Sequence, residues 1–273
     1  VIHPFGQVAD MAAIKDLCEA RSIPLVEDAS QSTGARWGRY RAGAIGDVGV
    51  FSMVSGKNLQ TFGGGLLVTQ RDDVARMCKL RLKSSPQLSP CDVQKAFRAG
   101  LQRWFLTTPI GFHGLLYPLT RTLDLVAPSK LAALTQEAQD PYDPDRELRK
   151  LSDIQGALGC MEINELDRRN STRRANALRL LDQLKGVHGI ILPHFDPSSE
   201  NSFNAVAVRT VWSKELGHRL RQSGFDTRTD YMEWFGTTKD FDEGVIYLPN
   251  HPAMCTNDID RLAQAVRTAM QPT

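Results

Sequence analysis

Apolar positions near the start of the chain follow two alternating patterns. From Ala9 to Arg21 they fall at Met11, Ile14 and Cys18, with Leu17 beside them, the spacing of one helical face. Ile23-Pro24-Leu25-Val26 is a short unbroken apolar run, as in a buried parallel strand. Further runs follow at Val48 to Met53 and at Leu66 to Thr69, the last behind the triplet Gly63-Gly64-Gly65. This order predicts an α/β unit, in which ligands sit beyond the carboxyl ends of the strands. Asp28 and the stretch Ser52 to Lys57 lie at such ends.

Residues 84–145 break the pattern. Pro86, Pro90, Pro109, Pro118, Pro128, Pro141 and Pro144 punctuate them, and Phe105 to Leu119 holds no formally charged residue. That stretch is too short to span a bilayer. It predicts an inserted helical hairpin, packed on the body or across a subunit interface. The alternative is a peripheral membrane contact through Trp104, Phe105, Phe112 and Tyr117, with Arg98, Arg103 and Arg121 at the headgroups. Helical signals return at Ser152-Asp153-Ile154-Gln155, a capping box in which the Ser and Gln side chains satisfy backbone donors reciprocally. Ile154, Leu158, Met161 and Leu166 continue it, and Gly186 is the expected stop. A helix of this length is expected to bridge two domains. Beyond it come a strand over 205–210, a helix over 213–222 closed by Gly224, a strand over 246–248, and a last helix capped by Thr256 with Ile259, Leu262 and Val266 inward. The expected division is a large domain over 1–150, carrying the insert, and a bridging helix with a smaller α+β domain over 151–273.

Composition narrows the classes. The chain has 273 residues, 41% hydrophobic and 23% charged, with a net charge of +2. Length and apolar content suffice for a sizeable core. The basic residues are interleaved with acids, so no stripe exists for a nucleic-acid backbone. The five cysteines lack CxxC spacing and the six histidines form neither HxH nor HExxH, which disfavours a disulfide framework and a metal site. No segment resembles a signal peptide, and a cytoplasmic location is expected. Val1-Ile2 reads as the tail of a strand, so the chain is expected to be a fragment.

A carboxylate, a hydroxyl and a lysine at neighbouring strand ends are what pyridoxal phosphate chemistry requires. The carboxylate keeps the pyridine nitrogen protonated, so the ring accepts electrons from the substrate. The lysine holds the cofactor and, once displaced, shuttles a proton. Alone, Lys57 reads as a solvated loop lysine, Asp28 as a turn or cap residue and the glycine triplet as a flexible turn; their joint order carries more. Val26-Glu27-Asp28-Ala29-Ser30-Gln31, Gly46 to Ser52, Lys57-Asn58-Leu59 and Gly63-Gly64-Gly65 together resemble the DegT/DnrJ/StrS nucleotide-sugar aminotransferases. So do Ser152 to Gly159, Gly224-Phe225-Asp226-Thr227-Arg228 to Tyr231, and Leu248-Pro249 to Arg261.

The resemblance implies a fold-type I large domain of α/β class with a mostly parallel sheet, N-terminally truncated, plus the smaller C-terminal domain. It implies pyridoxal 5'-phosphate bound as a Schiff base to Lys57, with Asp28 on the pyridinium, Gln31 on the phenolic oxygen and Ser52 on the phosphate. Asn58 would support the lysine, Arg228 and Tyr231 would line the substrate side, and His3 aligns with a segment near the ring. The implied activity is transfer of an amino group, from glutamate, to a nucleotide-linked keto-sugar by a homodimer, in polysaccharide or secondary-metabolite biosynthesis. Two departures stand out. The family's N-terminal stretch, with its phosphate-binding turn at a helix N-terminus, has no counterpart here. Leu148 and Lys150 stand where family members commonly carry an asparagine and an arginine. A non-catalytic or regulatory remnant is therefore one rival. A sugar dehydratase on the same scaffold is another, although in such relatives a histidine replaces the lysine.

Overall fold

The computed structural model describes residues 1–126, 149–196, 198–229 and 244–271. Helix α1 (Met11–Ala20) starts where Asp10 accepts a hydrogen bond from the Ala13 amide at 3.1 Å, satisfying a donor the first turn leaves open. Strand β1 is Val26–Asp28 rather than the run from Ile23. Pro24 has no N–H, and the Leu25 amide donates to the Asp47 carboxylate at 2.7 Å, so neither residue offers a donor to a ladder. Within the strand the alternation also runs against the expected buried run: Val26 is 48% exposed, while Glu27 is buried.

β1 pairs in parallel with β4 (Val48–Ser52), Asp28 opposite Val50. Ile2 makes a parallel bridge to Asp28 on the other side of β1. β5 (Gly65–Thr69) runs antiparallel to β4 and returns Gly65 opposite Ser52. The sheet therefore mixes parallel and antiparallel pairs. Between β1 and β4 a small hairpin, β2 (Arg36–Trp37) and β3 (Tyr40–Arg41), pairs through β2 with β6 (Ser199–Glu200). Val8, Met11, Leu25, Ala29, Ala35 and Ala42 form the core of this part.

The expected helical insert begins after α2 (Asp72–Ser84) with α3 (Pro90–Thr107). A short turn over Pro109–Gly111 and a π turn over Phe112–Leu116 lead into α4 (Tyr117–Val126). Among the described residues no helix is long and apolar enough to cross a membrane. Of the aromatic residues singled out above, Phe112 and Tyr117 face each other, ring centroids 5.8 Å apart, whereas Trp104 and Phe105 are exposed. Pro128, Pro141, Pro144 and Leu148 lie outside the described residues.

The capping box at Ser152 and Gln155 opens α5 (Asp153–Leu184). Its second half supplies Ala177, Leu180, Leu181 and Leu184 to a second core. That core is completed by β7 (Val206–Thr210), α6 (Ser213–Gln222), β8 (Gly244–Leu248) and α7 (Thr256–Ala269), with β7 and β8 antiparallel. Thr256 is the first residue of α7 and not its cap. Cys255 is the cap, because the Asp258 carboxylate reaches back to the Cys255 amide at 2.9 Å. All five cysteines are free.

Candidate functional site

Four of the residues singled out in the sequence follow the carboxyl ends of β1 and β4. Asp28 ends β1, and its backbone is held on both sides: its amide donates to Val1, its carbonyl accepts from His3, and the next amide, Ala29, donates to Val50. Its Oδ1 accepts from the Ser30 amide at 2.9 Å, turning the chain toward Gln31. Oδ2 has no hydrogen bond among the described residues. Gln31 accepts the Phe5 amide through Oε1 at 2.8 Å, fixing Phe5 at φ +59°, and its amide nitrogen remains available as a donor.

Ser52 ends β4, and the chain then leaves the sheet as a loop closed at its neck. The Met53 carbonyl accepts from Thr61 at 2.9 Å and from Gly63 at 3.2 Å, and the Met53 amide donates to Gly64 at 2.9 Å. Gly64 sits at φ +87°, and a Cβ there would collide with the Leu151 side chain, so a glycine is required on both counts. Met53, Leu59 and Leu166, with Leu151 against them, make an apolar plug beneath the loop. Lys57 rides on this loop, half-buried, and its ammonium has no ion pair or hydrogen-bond partner among the described residues. A cation without a counter-charge among the described residues, on an otherwise fixed loop, is available to an anionic ligand.

Helix α5 ties these pieces together. Asn58, next to Lys57, is 3% exposed and donates through Nδ2 to Asn170 Oδ1 at 3.0 Å; Asn170 Nδ2 donates on to the Thr33 carbonyl at 2.9 Å. The lysine loop and the Gln31 turn are thus clamped through one buried side chain. Gly34 permits the approach, since a Cβ there would lie 2.5 Å from Asn170 Nδ2. One helical end further, Gln155 donates to the Thr61 carbonyl at 3.2 Å while its Oε1 accepts from Ser152. The capping box was legible in the sequence; its grip on the glycine loop was not.

His3 does not present a free nitrogen. Its Nδ1 accepts from the Ala9 amide at 3.2 Å, which leaves Nε2 protonated to donate to Glu27 at 3.1 Å. The Glu27 carboxylate also accepts from Gly43, Ile45 and Gly46 at 2.8, 2.6 and 2.5 Å. Burial raises its pKa, but His3 and the three amides outweigh that and hold it below the ordinary glutamate value. Glu27 has therefore the function of an internal anchor that fixes the strand under Asp28. Sequence reasoning passed over it, because Glu27 directly follows the apolar run and reads there as part of a polar cluster.

Arg228 is exposed and lies on the other part of the chain, its carbonyl accepting from the Tyr247 amide at 2.8 Å. The Tyr247 ring packs on Phe5, centroids 5.0 Å apart, and Phe5 is the residue held by Gln31. Arg228 is thus three contacts from the Gln31 turn, through Tyr247 and Phe5. Tyr231 lies outside the described residues. An apolar hollow of about 310 Å³ opens between α3 and the start of α5, lined by Phe62, Val93, Phe97, Ile154, Leu158 and Met161. Its lining holds no titratable group, which makes it unsuited to the chemistry of a reactive centre.

Comparison with known proteins follows the same residues. The family model for DegT/DnrJ/EryC1/StrS aminotransferases matches residues 1–98 and 148–267, so residues 99–147, most but not all of the expected insert, are unmatched. A dTDP-3-amino-3,4,6-trideoxy-alpha-D-glucose transaminase of Streptomyces venezuelae is 29% identical over 84% of this chain and 48% of its own length. An L-glutamine:2-deoxy-scyllo-inosose aminotransferase of Streptomyces fradiae is 29% identical over 70% of this chain and 36% of its own. Among solved structures, DesV of S. venezuelae superposes with a TM-score of 0.67 at 25% identity, covering 100% of this chain and 64% of that one. A GDP-4-keto-6-deoxy-D-mannose-3-dehydratase of E. coli with bound hydrated PLP superposes at 0.68 and 19% identity, over 97% and 66%. The chain spans about half the length of the first of these curated relatives.

Proposed function

Since the chain belongs to the DegT/DnrJ/EryC1/StrS aminotransferase family, whose members are pyridoxal phosphate enzymes of fold type I, we propose that it forms the catalytic core of a sugar aminotransferase. The substrate is a nucleotide-linked keto-sugar and the amino donor is glutamate. The protein acts as a homodimer, in the assembly of a polysaccharide or an aminated secondary metabolite. Among the relatives, a dTDP-sugar transaminase supports the nucleotide-linked substrate. An L-glutamine-dependent aminotransferase makes glutamine the donor to test beside glutamate.

The observation that carries the reading is the Lys57 ammonium, without a partner among the described residues, on a loop anchored to the Gln31 turn through Asn58 and Asn170. The donor and acceptor inventory fits the cofactor. Asp28 Oδ2 would accept from a protonated ring nitrogen, the Gln31 amide would donate to a phenolic oxygen, and the Ser52 hydroxyl would donate to a phosphate. Pyridoxal phosphate, when bound, supplies the electron sink for amino transfer. The chain's own part is to keep these groups in fixed places and to move protons at Lys57 Nζ. Arg228, with Tyr231, is assigned to the substrate side. The dehydratase alternative is disfavoured by a lysine, not a histidine, at position 57.

The full-length protein with pyridoxal phosphate should show a visible absorbance band that Lys57→Ala abolishes, and should aminate a dTDP-keto-sugar with glutamate or glutamine. A protein that takes up no pyridoxal phosphate would return the chain to the non-catalytic class. A protein that binds the cofactor but leaves every keto-sugar unaminated would refute the substrate assignment alone.

A further inference from the structure

The inward face of α5 carries a second polar cluster one turn beyond Asn170. Arg173 is only 8% exposed, and its Nε and Nη1 are fully shielded from solvent with no acceptor among the described residues. A buried guanidinium without an acceptor is strongly disfavoured, so folded chains supply one. The acid whose charge acts on it, Glu162, is already bound to Arg169 at 2.8 Å. The loop after β8 is held to this stretch by Asn250, whose Nδ2 donates to the Arg173 carbonyl at 3.1 Å. Its next residue is His251. There Nδ1 accepts from the Ala253 amide at 3.1 Å, which leaves Nε2 protonated and a donor. His251 itself is exposed, so the cluster is open on that side. The electrostatics agree with the geometry. Burial, with Arg169 acting in the same sense, pushes Arg173 down to about 10, and partial desolvation of the His251 ring, which keeps one side exposed, together with both arginines holds His251 below the ordinary histidine value.

We propose that Arg173, flanked by Arg169 and His251, forms an oxyanion-binding site that takes a phosphate-type or carboxylate-type group. Donors predominate in the cluster, its single carboxylate is engaged elsewhere, and its net charge is positive. A group with several acceptor oxygens and a negative charge satisfies it, whereas a neutral ligand leaves the guanidinium uncompensated. The proposal does not depend on the role of Lys57.

The test uses the full-length protein at constant ionic strength, with sulfate and acetate as probes against chloride. Nuclear magnetic resonance follows the His251 ring, assigned by the loss of its signals in His251→Gln, and calorimetry measures affinity. Saturable displacement of the His251 signals is expected with at least one probe, and the tighter of the two identifies the ligand as phosphate-type or carboxylate-type. Arg173→Met should weaken that binding at least about tenfold, the loss of a hydrogen bond to a charged group. His251→Gln, at an exposed position, should weaken it several-fold by calorimetry and serves as the readout if Arg173→Met fails to fold. His251 signals that respond to neither anion, or affinities unchanged in the variants, would overturn the proposal.

Discussion

Glu27→Gln isolates the anchor beneath Asp28 with a change of almost no volume. The native carboxylate receives four donors, Ile45 and Gly46 on Oε1 and Gly43 and His3 on Oε2. A carboxamide keeps one accepting oxygen. Whichever way it is placed, its NH2 faces two of the four donors. Each stranded buried donor costs about 1–3 kcal/mol, so the substitution should destabilise the fold by about 2–6 kcal/mol. For a protein of this size that lowers the melting temperature by about 3–10 °C. The pH dependence adds a signature. Because the folded pKa of Glu27 lies below its unfolded value, its contribution is fully present above the unfolded carboxylate pKa. It is lost as pH falls through the lowered folded value. Glu27→Gln should therefore be most damaging near neutrality and converge on the wild type in acid. Urea denaturation of both proteins across pH, followed by circular dichroism, measures this. A loss below about 1 kcal/mol at pH 7, or one that does not shrink in acid, would refute the anchor role.

The other expectations are narrower. Asn170→Ala removes the link between Asn58 and Thr33 and should destabilise by about 1–3 kcal/mol; if the link positions Lys57, the variant also binds pyridoxal phosphate more weakly, a split read by denaturation and by cofactor titration. Leu59→Ala opens a cavity in the plug beneath the lysine loop and should cost about 2–5 kcal/mol, measured by chemical denaturation. The Arg41–Asp167 pair is bidentate, at 2.8 and 2.7 Å, yet both side chains are substantially exposed. A double-mutant cycle should give a coupling of no more than about 1 kcal/mol that fades with salt, although Asp167 is held below, and Arg41 above, their ordinary pKa values by each other.

Much of the candidate site was legible because its residues follow strand ends, and strand ends are marked by the passage from apolar runs to polar clusters. Asp28, Ser52 and Lys57 were found that way. The three-residue shift of β1 was not legible from the apolar run, because it is decided by Pro24 and by the Asp47 side chain arriving from β4's entry. The antiparallel return of β5 was equally hidden, since an apolar run carries no direction. Glu27, Asn170 and Gln155 each act on residues far along the chain, and nothing in their local context announces that.

By itself the chain determined its family, the class of its fold, the capping box of α5 and the identity of the candidate lysine, because periodicity, caps and ordered motifs are local properties. Only the tertiary structure decided that, among the described residues, the Lys57 ammonium has no partner and the buried Arg173 Nε and Nη1 have no acceptor, and that His3 spends both ring nitrogens on Ala9 and Glu27. Each of those is a matter of which groups meet across long sequence separations. Hydrogen bonding and burial are settled by that meeting, and residue type and spacing alone do not contain it.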